Sequence, residues 1–268
     1  MPSMGIPVIS IKGPPVSPTT ERPASAPLVQ GQENGSLEGN VIHLIGGEKG
    51  GVGKSLMARL LIHYIKERGL PFRAFDADRS NAALLRYYPK VSTQILTDRH
   101  DHLDKIIETA HETPGGRIIV DLAAQTHDLL VKWMEGVEMI DMVGSMDYRV
   151  CYWHVMDCGK DSVDLLRRLF DRFGSKLGYV IVQNQLRGEN FDLFEKSAEK
   201  SRAMELGAKV VSIRHLMSHV MHKIDASNAP FGIGRHPERD NTRLGLVDRQ
   251  RLKLWLTHAC AQMDQVHI

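Results

Sequence analysis

From residue 41 onward, short apolar runs alternate with stretches whose apolar positions recur at helical spacing. We predict strands at Val41–Ile45, Phe72–Asp76, Arg117–Asp121, Met139–Ser145, Tyr179–Gln183 and Lys209–Ile213. Strands that alternate with helices indicate βαβ units, in which the strands pair in parallel and helices cover the sheet. The pattern therefore predicts an α/β fold with a mostly parallel, twisted sheet flanked by helices on both faces.

The first part of the chain does not share this pattern. It holds seven of the 12 prolines, at positions 2, 7, 14, 15, 18, 23 and 27, with Ser, Thr and Gly between them. Such a composition buries too little apolar surface to offset the chain entropy that is lost on folding. We predict a disordered arm over residues 1–39 and a single domain over residues 40–268.

Composition narrows the class of protein. A chain of 268 residues with 42% hydrophobic residues can bury one α/β core. We find no apolar run of the roughly 18 residues that span a membrane, and no basic start followed by an apolar block. The three cysteines do not form a disulfide framework, and the net charge of +2 favours no particular partner. We expect a soluble cytoplasmic protein that does not bind membranes.

A glycine-rich segment, residues 49–55 (KGGVGKS), lies between the first predicted strand and a helical pattern. Strand, glycine loop and helix in this order indicate a phosphate-binding loop, because glycine backbones turn their N–H groups around an anion. Lys54 is placed to reach the β- and γ-phosphates, and the Ser55 hydroxyl to bind Mg²⁺. The predicted nucleotide-binding residues are Gly50, Gly51, Val52, Gly53, Lys54, Ser55 and Leu56.

The loop departs from the ordinary Walker pattern, because Glu48 replaces the first glycine and Lys49 precedes the glycine pair. This arrangement resembles the deviant Walker A loop of the MinD/ParA-like ATPases, which include nitrogenase iron protein and metallochaperone ATPases. The resemblance implies a P-loop NTPase fold, bound ATP and Mg²⁺, and an ATP-dependent homodimer. It also implies that Lys49 acts catalytically on the nucleotide of the other subunit, as an arginine finger does.

The second predicted strand ends in the segment 76–81 (DADRSN), which resembles the first switch segment of that family. By this resemblance Asp78 orients or deprotonates the attacking water, and Asp76 supports the Mg²⁺ shell. Carboxylates suit both tasks, because they accept hydrogen bonds and bind hard cations. The alternative is that the two acidic residues close a strand and cap a helix.

The third predicted strand ends in Asp121 and resembles a Walker B strand, in which the carboxylate holds Mg²⁺ through a water. The residues that follow, 122–126 (LAAQT), lack the Pro and Gly that the family uses in its second switch segment. A glycine there lets the loop flip toward the γ-phosphate. Gln125 and Thr126 are the candidates for that contact in this chain.

Asn184 follows the strand Tyr179–Gln183, at the place where the family reads the adenine edge with an amide. This strand, a helix predicted over Phe191–Met204 and the segment 248–254 (DRQRLKL) resemble the plasmid conjugal-transfer ATPases of the TraL type. That resemblance implies a regulatory or positioning ATPase that works with a transfer or partition protein.

Two further features bear on partners. Three histidines share one face at helical spacing: His215, His219 and His222. They suit either a metal site of a metallochaperone or a polar helix face whose inner side carries Leu216, Val220 and Ile224. Basic residues recur in the segment 235–253, among acidic ones, and suit either nonspecific DNA or a solvated face. A last helix, predicted over Leu244–Met263, has the spacing of a core-packing helix.

The sequence therefore predicts an Mg²⁺-ATP-binding, slowly hydrolysing ATPase that dimerises with ATP and acts in plasmid transfer, mobilisation or partition. Three alternatives stay open. One is a nucleotide-binding interaction module with little turnover, which the unusual second switch segment favours. The others are a metallochaperone-type ATPase and a small-molecule kinase on the same fold.

Overall fold

The structure, a computed structural model, describes residues 39–47, 49–232 and 242–267. The predicted arm over residues 1–39 therefore lies outside the described residues, apart from Gly39. The strands are β1 (Val41–Gly46), β2 (Phe72–Asp76), β3 (Ser92–Gln94), β4 (Arg117–Asp121), β5 (Arg149–Met156), β6 (Gly178–Asn184) and β7 (Lys209–Ile213). They form one sheet in the order β3-β2-β4-β1-β5-β6-β7.

Every strand pairing in this sheet is parallel. The connecting helices are α1 (Lys54–Glu67), α2 (Ala83–Tyr87), α3 (His100–Glu112), α4 (His127–Gly136), α5 (Met139–Gly144), α6 (Lys160–Phe173), α7 (Asp192–Glu195), α8 (Ala198–Glu205), α9 (Ser218–Ala226) and α10 (Leu246–Asp264). Strand β1 is central, so the loop that follows it opens in the middle of the sheet.

Two hydrophobic cores hold the layers together, one on each face of the sheet. Helices α1, α2, α9 and α10 pack on one face, and α3 to α8 pack on the other. Alternation along β1 shows the principle: Val41 and Ile45 belong to the first core, and Ile42 and Leu44 to the second. Because both faces are covered, the central strands are buried nearly throughout.

The predicted fold class is confirmed: the chain is an α/β protein with a parallel sheet that helices flank on both faces. Strands β2, β4 and β7 have the predicted bounds. The predicted strand Met139–Ser145 is wrong, because this segment forms helix α5. Met139 and Val143 are buried whereas Asp141 between them is exposed, which is helical spacing, because a strand would place all three on one face.

The prediction missed β5, whose sequence is RVCYWHVM. Seven of its eight residues are buried, since helices cover both faces of this central strand. A strand buried on both sides shows no polar alternation, which removed the signal that a strand prediction uses. The short edge strand β3 was also missed.

The C-terminal helices behave largely as their apolar spacing predicts. Leu252, Trp255, Ala259 and Met263 of α10 are buried in the first core. The helix predicted over Phe191–Met204 is divided into α7, which ends at Glu195, and α8, which the Ser197 hydroxyl caps by accepting a hydrogen bond from the Lys200 N–H. In the part of the chain that the structure describes, no helix is both long and apolar enough to cross a bilayer.

The three histidines do not come together as a metal site. His215 precedes α9, and His219 Nε2 lies 3.0 Å from Asp248 Oδ1 on α10. Leu216, Val220 and Ile224 are buried, as the polar-face alternative predicts. Among the described residues, no group of three or more His, Cys, Asp or Glu side chains is arranged to hold a metal ion.

A buried histidine lies at the centre of the sheet. His43 on β1 is fully buried, and its Nδ1 accepts a hydrogen bond of 3.1 Å from Trp153 Nε1 on β5. Burial, with a smaller contribution from the Arg117 charge, lowers the pKa of His43 to about 3. A proton on Nδ1 would also face the indole N–H, so the folded protein holds this imidazole neutral.

We predict that His43 makes the fold acid-sensitive between pH 6.5 and about 3. Its pKa is 6.5 when unfolded and lower when folded, so stability is complete above pH 6.5 and falls as the unfolded chain takes up a proton. The loss attributable to His43 at pH 5 is about 2 kcal/mol. Urea unfolding at pH 7 and pH 5 measures this loss.

The substitution His43→Asn removes the titrating group while keeping an acceptor for Trp153, so its stability should fall less between these pH values. His100→Asn, at an exposed position of α3, is the matched control and should keep the wild-type pH dependence. An equal pH dependence in wild type and His43→Asn would contradict this assignment.

Candidate functional site

The carboxyl ends of the central strands meet at one edge of the sheet and form the floor of a cleft. In the parallel register, Asp121 of β4 lies beside Ile45 of β1 on one side and beside Asp76 of β2 on the other. The cleft has a volume of about 730 Å³ and is lined by the glycine loop, by the segment after β2 and by Ala123 and Ala124 after β4. Ligands in open α/β sheets bind at this edge.

The glycine loop depends on backbone angles that only glycine adopts readily. Gly51 has φ of 75° and Gly53 has φ of 101°, both in the left-handed region. Gly53 directly precedes α1, whose first N–H groups and positive dipole end therefore face the cleft. A Cβ on Gly53 would lie 2.0 Å from Asn184 Nδ2, so the loop also needs glycine for close packing.

Strand β6 supports the loop from the side. The Asn184 side chain is buried, and its Nδ2 donates a 2.6 Å hydrogen bond to the Val52 carbonyl. Its Oδ1 accepts from the Leu186 N–H at 3.3 Å, and Arg187 donates to the Gly50 carbonyl at 3.4 Å. Both ends of the amide that was predicted to read adenine are therefore engaged within the chain.

Lys54 is the first residue of α1, and its side chain turns back across the loop. It is 8% exposed, and its Nζ donates to the Lys49 carbonyl at 3.4 Å. The ammonium group is thereby held near the loop's N–H groups, the position from which a lysine reaches bound phosphates. The neighbouring Ser55 lines the same cleft, so the predicted loop residues lie together.

Asp121 is fully buried, which is costly for a carboxylate. Burial raises its pKa to about 7; the nearby Asp76 charge also raises it, while Ser55 and Lys54 lower it. Neither of its oxygens has a hydrogen-bond partner of full geometry among the described residues. Oxygens with unused lone pairs beside a serine hydroxyl fit a hard cation such as Mg²⁺, directly or through water.

Asp76 is buried and already accepts three backbone hydrogen bonds. Its Oδ1 receives the Asp78 N–H at 3.0 Å, and its Oδ2 receives the N–H groups of Leu84 and Leu85 at 2.7 and 3.4 Å. These contacts match the alternative in which the carboxylate closes the strand and caps α2. Desolvation raises its pKa, an effect that the three N–H donors oppose.

Asp78 faces the cleft and is partly exposed. Its Oδ1 accepts from the N–H groups of Ser80 and Asn81, and its Oδ2 accepts from Asn81 Nδ2 at 2.8 Å. Desolvation alone would raise the pKa of Asp78, but these hydrogen bonds and the Lys54 charge outweigh it, and the pKa is lowered. The group is therefore an oriented carboxylate at neutral pH.

The segment after β4 adopts a glycine-like conformation without glycine. Gln125 has φ of 59°, in the left-handed region. Thr126 follows it, donates from its hydroxyl to the Ala123 carbonyl at 2.9 Å, and directly precedes α4. Gln125 therefore bears backbone strain that a glycine at this position would avoid.

Lys49, predicted to act in trans, pairs within its own chain. Its Nζ lies 3.2 Å from Oδ2 of Asp157, the residue that follows β5. The sequence pattern did not reveal Asp157, because the strand before it, β5, shows no alternation of apolar and polar residues. The signal was nevertheless present: like Asp76 and Asp121, it is an aspartate at the carboxyl end of a buried apolar run.

A second cluster that the sequence did not reveal closes the far wall of the cleft. Arg59 of α1 is 5% exposed, pairs with Asp225 at 2.9 Å, and has its guanidinium 3.5 Å from the Tyr87 ring centroid. The Tyr87 hydroxyl donates to the same Asp225 carboxylate at 2.7 Å. These contacts join α1, α2 and α9, so the segment after β2 is tied to the phosphate-loop helix.

The basic segment predicted as a DNA contact is only partly described. Arg235 and Arg239 lie outside the described residues. Arg251 pairs with Asp248 at 3.0 Å, and Arg249 Nε donates to the Leu244 carbonyl at 3.1 Å. DNA binding by this segment stays a prediction.

No protein-family model matches the chain. In sequence it is similar to Protein MobD from Acidithiobacillus ferrooxidans, with 25% identity over 229 residues. This alignment covers 84% of the present chain and 97% of MobD.

Among solved structures, a nucleotide-binding protein from Archaeoglobus fulgidus in complex with ADP has a TM-score of 0.42 and 16% identity, over 70% of this chain and 87% of that one. The signal recognition particle receptor FtsY from Elizabethkingia anophelis, in complex with GDP, has a TM-score of 0.47 and 16% identity. That match covers 68% of this chain and 59% of FtsY. These likenesses concern the backbone alone and say nothing about the ligand of this chain.

We predict that Gly53→Ala destabilises the protein by about 1–3 kcal/mol, because alanine resists the left-handed angle and its Cβ would collide with Asn184. Urea unfolding without ligand measures the change. Gly136→Ala is the matched control, since its Cβ would meet no atom within 4 Å at the end of α4; it should change stability by at most about 1 kcal/mol. Equal effects of the two substitutions would contradict the packing of Gly53 against Asn184.

Proposed function

We propose that this protein binds Mg²⁺-ATP, hydrolyses it slowly, and forms a homodimer in its ATP-bound state. One observation carries the proposal: a glycine loop at the centre of a parallel sheet places the Lys54 ammonium and the N-terminus of α1 near a buried Asp121. The oxygens of Asp121 have no hydrogen-bond partner of full geometry among the described residues. Cationic donors beside a buried oxygen ligand are the two halves of a triphosphate–magnesium site.

In this proposal the N–H groups of residues 50–56 and the Lys54 ammonium bind the phosphate oxygens. Ser55 and Asp121 hold Mg²⁺, whose role when bound is to neutralise phosphate charge. Asp76 supports that shell from behind while its oxygens cap α2. Because the amide of Asn184 is engaged with Val52, we propose that Asn184 assists nucleotide binding by shaping the loop rather than by reading adenine.

Asp78 is the proposed group that orients the attacking water or accepts its proton. Its lowered pKa keeps it ionised, and hydrogen bonds from Ser80 and Asn81 fix its orientation. A weakly basic carboxylate positions water more effectively than it removes a proton, which is consistent with slow turnover. Lys49 is the proposed in-trans cation, which a second copy of the chain would place on the phosphates.

The proposed setting is plasmid transfer, mobilisation or partition in the cytoplasm, together with an unidentified protein partner. The similarity to MobD along most of both chains supports mobilisation. The resemblance of the C-terminal half to TraL-type transfer ATPases supports the same setting. The ATP-bound dimer would be the state that the partner recognises.

A nucleotide-binding module with little turnover is the second candidate. The observation that favours it is the strained Gln125, which replaces the glycine that lets this segment flip toward the γ-phosphate. Phosphate release under single-turnover conditions separates the two candidates. A metallochaperone role has less support, since the described residues include no group of three or more His, Cys, Asp or Glu side chains arranged to hold a metal ion.

Solution mass tests the proposal. The Asp78→Ala protein, in which hydrolysis should be blocked, is measured by light scattering with Mg²⁺-ATP and then with Mg²⁺-ADP. We expect a dimer with ATP and a monomer with ADP. A monomer in both states would contradict the dimer.

The substitution Lys54→Ala should weaken ATP binding at least about tenfold, because a charge-assisted hydrogen bond is lost. Unchanged affinity would contradict the phosphate-loop assignment.

Asn184→Ala distinguishes a loop support from a base reader. The substitution leaves the Val52 carbonyl without its donor, so we expect affinity for ATP and GTP to fall by the same factor, roughly two- to tenfold. Calorimetric titration with both nucleotides measures this. A loss confined to ATP would show that Asn184 contacts adenine and would contradict the loop-support role.

A further inference from the structure

The contact between Lys49 and Asp157 joins a buried acceptor to an exposed donor. Asp157 is 5% exposed and directly follows β5, the neighbour of β1 on the side opposite β4. The Lys49 side chain is 44% exposed, and its Nζ lies 3.2 Å from Asp157 Oδ2. The carboxylate therefore belongs to the core, whereas the ammonium group belongs to an exposed loop.

Hydrogen bonds fix the Asp157 carboxylate independently of the lysine. Its Oδ1 accepts from the Ser162 hydroxyl at 2.9 Å and from the Gly159 N–H at 3.0 Å. The Asp157 N–H in turn donates to the Ser162 hydroxyl oxygen at 3.3 Å. This leaves Oδ2 directed at the glycine loop, where the Lys49 ammonium meets it.

A second cation stands beside the pair. Arg187 Nη1 lies 3.8 Å from Asp157 Oδ2, and Arg187 Nη2 donates to the Gly50 carbonyl. If Lys49 left, the Asp157 carboxylate would keep this guanidinium as a neighbour. The buried Asp157 carboxylate therefore keeps a cationic neighbour when Lys49 moves away, and the free-energy cost of breaking the Lys49–Asp157 pair is modest.

We propose that Asp157 is a positioning residue that holds Lys49 in its own subunit and so opposes the use of Lys49 on the nucleotide of a second copy. This inference rests on the proposed ATP-dependent dimer. Each lysine must leave its Asp157 before it can cross the interface, and a symmetric dimer breaks two such pairs. Asp157 thereby raises the dissociation constant of the ATP-bound dimer.

The first test needs neither nucleotide nor dimer. The nucleotide-free protein is treated with an acetylating reagent for amines, and the labelling rate of each lysine is read by mass spectrometry. Asp157→Asn keeps the shape and one oxygen that accepts from Ser162 and Gly159, but places an uncharged NH₂ group where Oδ2 meets Lys49. Lys49 should therefore label about two- to fivefold faster than in wild type. Asp192→Asn is the matched control: it frees Lys196 from an exposed pair and should leave Lys49 unchanged.

The second test measures dimerisation of Asp78→Ala with and without Asp157→Asn, in Mg²⁺-ATP. Because two pairs break in each dimer, we expect the dimer dissociation constant to fall by the square of the single-pair factor, about four- to 25-fold. High salt should narrow this difference, since it screens the exposed pair in the parent protein.

The outcomes distinguish failure of the role proposed for Asp157 from failure of the proposed ATP-dependent dimer. A dimer in Asp78→Ala with an unchanged or larger dissociation constant in the double variant would overturn the role of Asp157 alone. Absence of an ATP-dependent dimer in both would overturn the proposed function and this role with it. An unchanged Lys49 labelling rate in Asp157→Asn would overturn the role at its first step.

Circular dichroism and thermal unfolding check that Asp157→Asn folds. If it does not, Ser162→Ala serves in its place, because it removes the hydroxyl that orients Oδ1 and keeps the carboxylate. The looser carboxylate should raise the Lys49 labelling rate in the same direction and by a smaller factor. A labelling rate equal to wild type in this variant would overturn the proposal.

Discussion

Parallel pairing around β1 is the constraint on which the rest of the molecule depends. Parallel strands bring their carboxyl ends to one edge of the sheet, so the residues that end β2, β4 and β5 surround the loop that follows β1. Asp121 ends β4 and Asp157 directly follows β5, the two neighbours of β1, and Asp76 ends β2 on the far side of β4. Three aspartates beside one glycine loop are therefore a consequence of strand order rather than of closeness in sequence.

Each of these buried carboxylates is compensated differently, and the differences assign their tasks. Backbone N–H groups of the following turn and helix satisfy Asp76, which becomes a structural cap. Asp157 is satisfied by the Ser162 hydroxyl, the Gly159 N–H and the charge of Lys49. Asp121 alone of the three has no partner of full geometry among the described residues, and its raised pKa reflects that burial. Because fewer partners offset the cost of its burial, Asp121 is the carboxylate that a bound cation would stabilise most.

The segments that flank the cleft differ in how firmly they are held. The segment after β2 is tied to α1 and α9 through the Arg59, Tyr87 and Asp225 cluster. The segment after β4 is held by the Leu122 N–H on the Ile45 carbonyl and by the Thr126 hydroxyl on the Ala123 carbonyl, and it carries the strain of Gln125. The two sides of the cleft are therefore held by different contacts: side chains from three helices on one side, and backbone and hydroxyl hydrogen bonds on the other.

The sequence by itself determined the α/β class, the glycine loop with Lys54 and Ser55, and the strands that end in Asp76 and Asp121, because these depend on local periodicity and on residues that are neighbours in the chain. It did not reveal β5, because burial on both faces erased the alternation that marks a strand. Only the tertiary structure decided that Asn184 supports the loop and that Asp157 holds Lys49. Both contacts join segments more than 100 residues apart, and strand order, which no local pattern records, brings them together.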